Sequence, residues 1–205
     1  VQTCALPIYS TDFVFNGTTT NYLYNESTGY TEEDEAHPLS TYAKAKYEGE
    51  LLISQIMENT ENTSKMYIVR TSWVFGKGSM NFVEKIIELS KEKDELKVVD
   101  DQVSSPTYSK DLAYFSWELI KKGCESGIYH FTNDGIASKY EEAQYILEKI
   151  SWKGNLIRAK REELGLLAER PKFSKLSCKK IKEKLGIPIP NWKDAIDRYF
   201  KENNK

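Results

Sequence analysis

The sequence predicts an α/β fold on a parallel sheet with a smaller mixed lobe, and three observations carry that prediction. Short β-branched and aromatic runs alternate with segments of helical apolar period through residue 150. Turn signals rich in Gly, Pro and Asn separate them. The last third then changes to Lys/Glu-rich segments of helical character at 159–167, 177–185 and 191–202.

Taken in order, residues 9–15 (YSTDFVF) read as a strand closed by Asn16-Gly17. Residues 18–37 are polar and aperiodic, a long loop of the kind that is usually functional. After Pro38, residues 40–58 read as a helix, with Ala43, Tyr47 and Leu51 at i+4 spacing and Leu52 and Ile56 beside them. Residues 66–75 (MYIVRTSWVF) form the next strand, ended by Gly76-Lys77-Gly78. A helix over 81–91 carries Phe82, Ile86, Ile87 and Leu89, and a short strand over 96–99 follows. Residues 100–106 are a polar loop, 111–121 a helix and 127–132 a strand. Ser138 has the character of a cap for a helix reaching about residue 150.

The chain has 205 residues, enough for one domain with a small lobe. Its net charge of −2 gives no electrostatic footprint for nucleic acid. No apolar run approaches the roughly 20 residues that cross a bilayer, so neither nucleic acid nor membrane is an expected partner. Cys4, Cys124 and Cys178 stand far apart, and His37 and His130 are isolated, so no disulfide framework or metal site is expected. A cytoplasmic location is the expectation.

Tyr42 and Lys46 form a YxxxK pair, phenol and ammonium one helical turn apart on one face. A neighbouring cation favours the phenolate, which suits a tyrosine to give a proton to an alkoxide as hydride reaches a carbonyl. Upstream, Ser10-Thr11-Asp12 lies in a strand-like segment, and the Thr11 hydroxyl is suited to a carbonyl oxygen gaining negative charge.

These residues lie within longer stretches: YSTDFVFNG, HPLSTYAKAKYEGE, IVRTSWVFGKGSMNFVEKI, LKVVDDQVSSPTYSKDLA, GIYHFTNDGIAS, RPKFSKLSCKKI and IPNW. In that order they resemble the dTDP-4-dehydrorhamnose reductases of the extended short-chain dehydrogenase group. The resemblance implies a Rossmann-like parallel sheet, incomplete here, with a substrate-binding lobe. It implies NADPH or NADH as cofactor, a nucleotide-sugar substrate, and reduction of the 4-keto group of dTDP-4-dehydro-L-rhamnose. Tyr42 would then be the proton donor and Lys46 the partner that holds the nicotinamide ribose. Thr11 and Asp12 would lie beside the sugar, Trp73 would line its pocket, and Asn81 and Arg170 would sit near the nucleotide or diphosphate. A homodimer is left open. The expected division is 9–78 with 108–135 for the cofactor-binding domain, and 79–107 with 136–205 for the substrate lobe.

Residue by residue, plainer readings stand beside these. Trp73 in an apolar strand reads equally as core, Asp12 as a turn cap, and Arg170-Pro171 as a surface hinge. His130 between Tyr129 and Phe131 reads as structural. Ser104 occupies the place of a glycine in the family's DQxGxPT pattern, which puts that loop's conformation in question. No GxGxxG turn occurs, so the chain is expected to lack its front βα units and most of the cofactor site. Residues 1–8 (VQTCALPI) match a translated sequencing adapter and are expected to be non-native; the alternative is a strand over 5–8.

Two other functions fit less well. A dehydratase of this group needs Glu directly after Thr-Asp, where Phe13 stands. An epimerase acting on another nucleotide sugar belongs to the same class. A non-catalytic regulatory subunit, like that of methionine adenosyltransferase, would not need Tyr42 and Lys46 intact.

Overall fold

Residues 66–69 are apolar on alternate and intervening positions alike, the pattern of a strand covered on both faces. They form the centre of the sheet. The computed structural model describes residues 6–18, 28–59, 65–78, 80–165 and 168–203. In chain order these make β1 (Leu6–Thr11), α1 (Thr41–Asn59), β2 (Met66–Thr71), β3 (Val74–Phe75), α2 (Phe82–Glu92), β4 (Glu95–Val99) and β5 (Val103–Ser104). Then come β6 (Thr107–Tyr108), α3 (Ser109–Lys121), β7 (Gly127–His130), β8 (Ala137–Ser138), α4 (Lys139–Lys149), β9 (Asn155–Ala159), α5 (Lys179–Leu185) and α6 (Trp192–Asn203).

The main sheet is parallel, in the order β1-β2-β7. Its register sets Ser10 beside Arg70, Thr11 beside Thr71, and Arg70 beside His130. Tyr67, Val69, Tyr129 and Phe131 pack against Leu112, Phe115 and Leu119 of α3 to make its core. Beyond the main sheet lie two more parallel pairs, β3-β6 and β4-β9, and the antiparallel pair β5-β8. Val83 and Ile86 of α2, Leu96 and Val98, Ala143 and Ile146 of α4, and Ile196 and Tyr199 of α6 fill a second core. A small third cluster of Val14, Phe15, Tyr30 and Leu176 lies just beyond β1. The α/β class with parallel sheets is as expected.

Several local expectations are corrected. The strand over 9–15 stops at Thr11, because its hydroxyl accepts from Phe13 N at 3.2 Å and turns Asp12–Val14 into a 3-10 helix. The strand over 66–75 breaks at Ser72-Trp73, where Trp73 takes φ +44°. Residues 159–165 are not an α-helix; β9 ends at Ala159, paired with β4, and the short 3-10 turn Glu162–Leu164 follows. The loop over 100–106 contains β5. Ile181, Leu185 and Ile189, expected in the lobe, pack in the core of the main sheet. Ser138 caps α4 in a full capping box with Glu141.

Leu6 to Ile8 run on in β1, paired with Met66 to Ile68. Cys4 and residues 19–27 of the long loop lie outside the described residues. Among the described residues no helix is long and apolar enough to cross a membrane, and no His/Cys/Asp/Glu group is arranged to hold a metal ion.

Candidate active site

Thr11 and Asp12 sit at the carboxyl end of β1, where open parallel sheets take their ligands. Asp12 is buried, and hydroxyls surround its carboxylate. Thr11 Oγ1 donates to Oδ1 at 3.2 Å, while Ser104 and Ser174 donate to Oδ2 at 3.2 and 2.5 Å. Neutral donors soften the loss of water without replacing it, and burial pushes the carboxyl from 3.8 up to about 6. The Thr11 hydroxyl, expected to face a substrate carbonyl, is engaged here by Asp12 and by the Phe13 amide.

Helix α1 packs along β1 and the turn after it. Tyr42 in its first turn is 55% exposed. It opens into a cleft of about 560 Å³ with Phe13, Leu39, Ser40 and Arg170. One turn on, Lys46 donates to Tyr9 O at 3.1 Å, which fixes its ammonium beside β1. The YxxxK face is therefore turned to the same strand end that carries Thr11 and Asp12.

Arg170 lies 5.6 Å from the Phe13 ring and lines both this cleft and a second one of about 420 Å³. Phe82, Ile86, Leu89, Leu96 and Val98 give that second cleft an apolar wall, and Lys85, Lys97, Arg161 and Arg170 give it cationic rims. Such a lining suits a ligand with a flat apolar end and an anionic one. Trp73 is half-buried, with Lys139 Nζ 3.6 Å from its ring. Asn81 caps α2, accepting from Val83 N and Glu84 N and donating to Gly76 O at 2.8 Å, so its amide has a structural duty.

Four residues were missed in the sequence. Ser104 and Ser174 hold Asp12 from 92 and 162 residues away, a distance no local pattern reports. Ser104 needs no positive φ; its side chain fills the position with a hydrogen bond that a glycine lacks. Lys139 is packed between Trp73 and Phe82 and paired with the buried Glu142 at 2.8 Å. Burial lowers the pKa of Lys139 and raises that of Glu142. Gln102 lines the second cleft with a buried Nε2 that has no hydrogen-bond partner.

The family model described as the RmlD substrate binding domain matches residues 3–205. The spore coat polysaccharide biosynthesis protein SpsK of Bacillus subtilis is 40% identical over 195 residues, covering 95% of this chain and 63% of that protein. A dTDP-4-dehydrorhamnose reductase of Aggregatibacter actinomycetemcomitans is 35% identical over 201 residues, covering 91% of this chain and 63% of its own length. A crystal structure of the reductase of that name from Bacillus anthracis, in complex with NADP, superposes with a TM-score of 0.85 at 35% identity. It covers 97% of this chain and 66% of the other. The chain thus spans just under two thirds of the length of these relatives. A match running over nearly all of its residues, on the same fold, shows that this chain belongs to the RmlD substrate binding domain family.

Proposed function

We propose that these residues carry the substrate-binding and proton-donating part of an NAD(P)H-dependent reductase acting on dTDP-4-dehydro-L-rhamnose. The observation that carries the reading is the Tyr42–Lys46 face of α1, turned toward the strand end that bears Thr11 and Asp12. The names of the relatives, and the NADP held by the Bacillus anthracis enzyme, support the choice of reaction and cofactor.

The residues present fit the nicotinamide end of such a cofactor. Lys46 offers an ammonium at the carboxyl edge of the sheet, and Tyr42 opens into the adjoining cleft. No Gly-rich turn occurs in these 205 residues to receive a pyrophosphate. When bound, the reduced nicotinamide supplies hydride to the carbonyl carbon. Tyr42 gives its hydroxyl proton to the carbonyl oxygen, leaving a secondary alcohol. Lys46 stabilises the tyrosinate and, with water, returns the proton. Asp12 accepts from sugar hydroxyls, with Thr11 beside it. Trp73 offers an apolar face to the sugar ring, and Arg170 supplies charge toward the diphosphate. The product is dTDP-L-rhamnose, and the 40% identical relative is named for polysaccharide synthesis.

The test uses the complete reading frame that encodes these residues, following reduced-nicotinamide absorbance with dTDP-4-dehydro-L-rhamnose beside Tyr42→Phe. Turnover that collapses in the variant supports the reading. Folded, cofactor-bound protein without turnover refutes it.

A further inference from the structure

We propose that Glu50, Arg70 and His130 form a buried positioning network that sets the rotation of α1 and so the place of the Tyr42 hydroxyl. The proposal rests on the reading of Tyr42 and Lys46 as the reacting pair.

A surface helix ordinarily docks through a broad apolar stripe. Among the described side chains of α1 only Ala43 and Glu50 are buried, while Leu51, Leu52 and Ile56 are exposed. Tyr47 packs in part against Val14, Phe15, Tyr30 and Leu176. The fully buried contacts are therefore one methyl and one carboxylate, beside partly covered side chains such as Tyr47, Ile53 and Met57, and the carboxylate adds a second directional tie to the one Lys46 makes with Tyr9 O. Arg70 Nε donates to Glu50 Oε1 and Oε2 at 3.0 and 3.1 Å, and Nη2 donates to Oε2 at 2.6 Å. A guanidinium fork on a carboxylate fixes plane as well as distance. Tyr42, Lys46 and Glu50 follow one another at i+4, so the fork grips the helix about two turns beyond the phenol and roughly 80° round its axis, on the buried side, whereas the phenol is exposed.

Arg70 is itself held. It stands on the central strand between Ser10 and His130 in register, with its guanidinium 5.2 Å from the Phe15 ring. Its Nη1 is 3.5 Å from His130 Nε2, and His130 Nδ1 is 3.1 Å from Tyr30 O. Burial and the Arg70 charge keep His130 neutral, so Nδ1–H donates to Tyr30 and the Nε2 lone pair faces Arg70. The His130 amide donates to Glu32 Oε1 at 2.8 Å, and Phe15 stacks on Tyr30 at 4.2 Å. Phe15 follows Asp12 by three residues, so α1 and the Thr11-Asp12 turn are referred to one fixed point.

A buried ion pair adds little stability over well-packed apolar residues of the same volume, whereas its fork imposes direction. A helix rotation of roughly 10° moves the end of a tyrosine on the order of 1 Å, given a backbone radius of about 2.3 Å. A misplacement of that size can cost about 100-fold in rate.

The variants are Glu50→Gln, Arg70→Lys and the double change Glu50→Met with Arg70→Met, made in the complete reading frame. Both single variants should lose about 10- to 100-fold in kcat, with KM for the keto sugar within about threefold. The double variant, free of unpaired charge, should recover its melting temperature while kcat stays low. Crystal structures should show the Tyr42 hydroxyl displaced by about 1 Å relative to Thr11, the size of shift that such a rate loss implies. A stable double variant with wild-type kcat, or with Tyr42 unmoved in its crystal structure, would overturn the proposal. A wild-type protein without keto-sugar turnover sinks the reductase reading instead, and the crystallographic displacement still decides the role of the network.

Discussion

The substitution Asp12→Asn separates the cost of a buried charge from the value of its hydrogen bonds. Burial raises this carboxyl from 3.8 to about 6 in the folded protein. That displacement corresponds to about 3 kcal/mol, at about 1.4 kcal/mol for each tenfold change in proton affinity. The folded state holds the proton more tightly than the unfolded chain. Stability contributed by this group is therefore greatest below pH 3.8, falls as pH rises through 6, and is level above it. The asparagine amide of the variant does not titrate and keeps an oxygen for Ser104 and Ser174, although its new amide protons need acceptors such as Thr11 Oγ1. An unmet donor there would cost about 1–3 kcal/mol, at all pH values alike. The diagnostic quantity is thus the difference between the two proteins. From about pH 4 to about pH 7.5 it should move in favour of the variant by about 2.5 kcal/mol, or about 5–10 °C in melting temperature for a chain of this size. Thermal melts of both proteins across that range measure it, and shifts from Glu32 and Glu142 cancel because both proteins share them. Parallel melting curves would refute the assignment of a buried, uncompensated carboxylate.

Other expectations follow from single features. Tyr42→Phe should lower kcat by about 100- to 10,000-fold, the span of a lost general acid; as the side chain is exposed, urea denaturation should find stability unchanged within about 0.5 kcal/mol. Trp73 holds φ +44°, so Trp73→Gly should be more stable than Trp73→Ala by about 1 kcal/mol, and the reverse order in chemical melts would argue against strain at the β2–β3 break. Lys139→Met leaves Glu142 buried without its cation and should cost about 3–5 kcal/mol, most of it recovered by adding Glu142→Leu. Equal losses in the single and double variants, read by urea titration, would contradict that pairing.

The parts of the molecule that were legible in the sequence are those set by local rules. The helical period fixes Tyr42 and Lys46 on one face, and the apolar run from Met66 marks a strand. Ser138 announces a helix start, to which the structure adds Glu141 as the second half of a capping box. Asn81 shows the limit of a resemblance: its place before α2 is that of a cap, and its amide is engaged there. What stayed hidden depends on pairing across the chain. β9 carries no strand signal of its own until β4 is beside it to accept its ladder. Lys139 reads as a solvated residue at a helix start, and only the convergence of Trp73, Phe82 and Glu142 makes it an interior cation. The break at Trp73 has no local signal either, since nothing about a tryptophan announces a left-handed backbone.

The hydroxyl cage around Asp12 also orders events in time. Its donors come from Thr11, from Ser104 and from Ser174, and the segment bearing Ser174 is held by backbone bonds to Val103. During synthesis, β1 leaves the ribosome long before residue 174 exists. At the usual rate of about 5–20 residues per second, roughly ten to thirty seconds separate the two. Throughout that interval Asp12 remains a hydrated carboxylate of ordinary acidity. Its last ligand arrives by a closure over 162 residues, a contact of the kind that forms late. The nascent chain can therefore assemble its sheet while the end bearing Thr11 and Asp12 stays open. Binding competence is acquired in a final step, and a ribosome stalled before residue 174 should hold a protein with strands in place and no finished site.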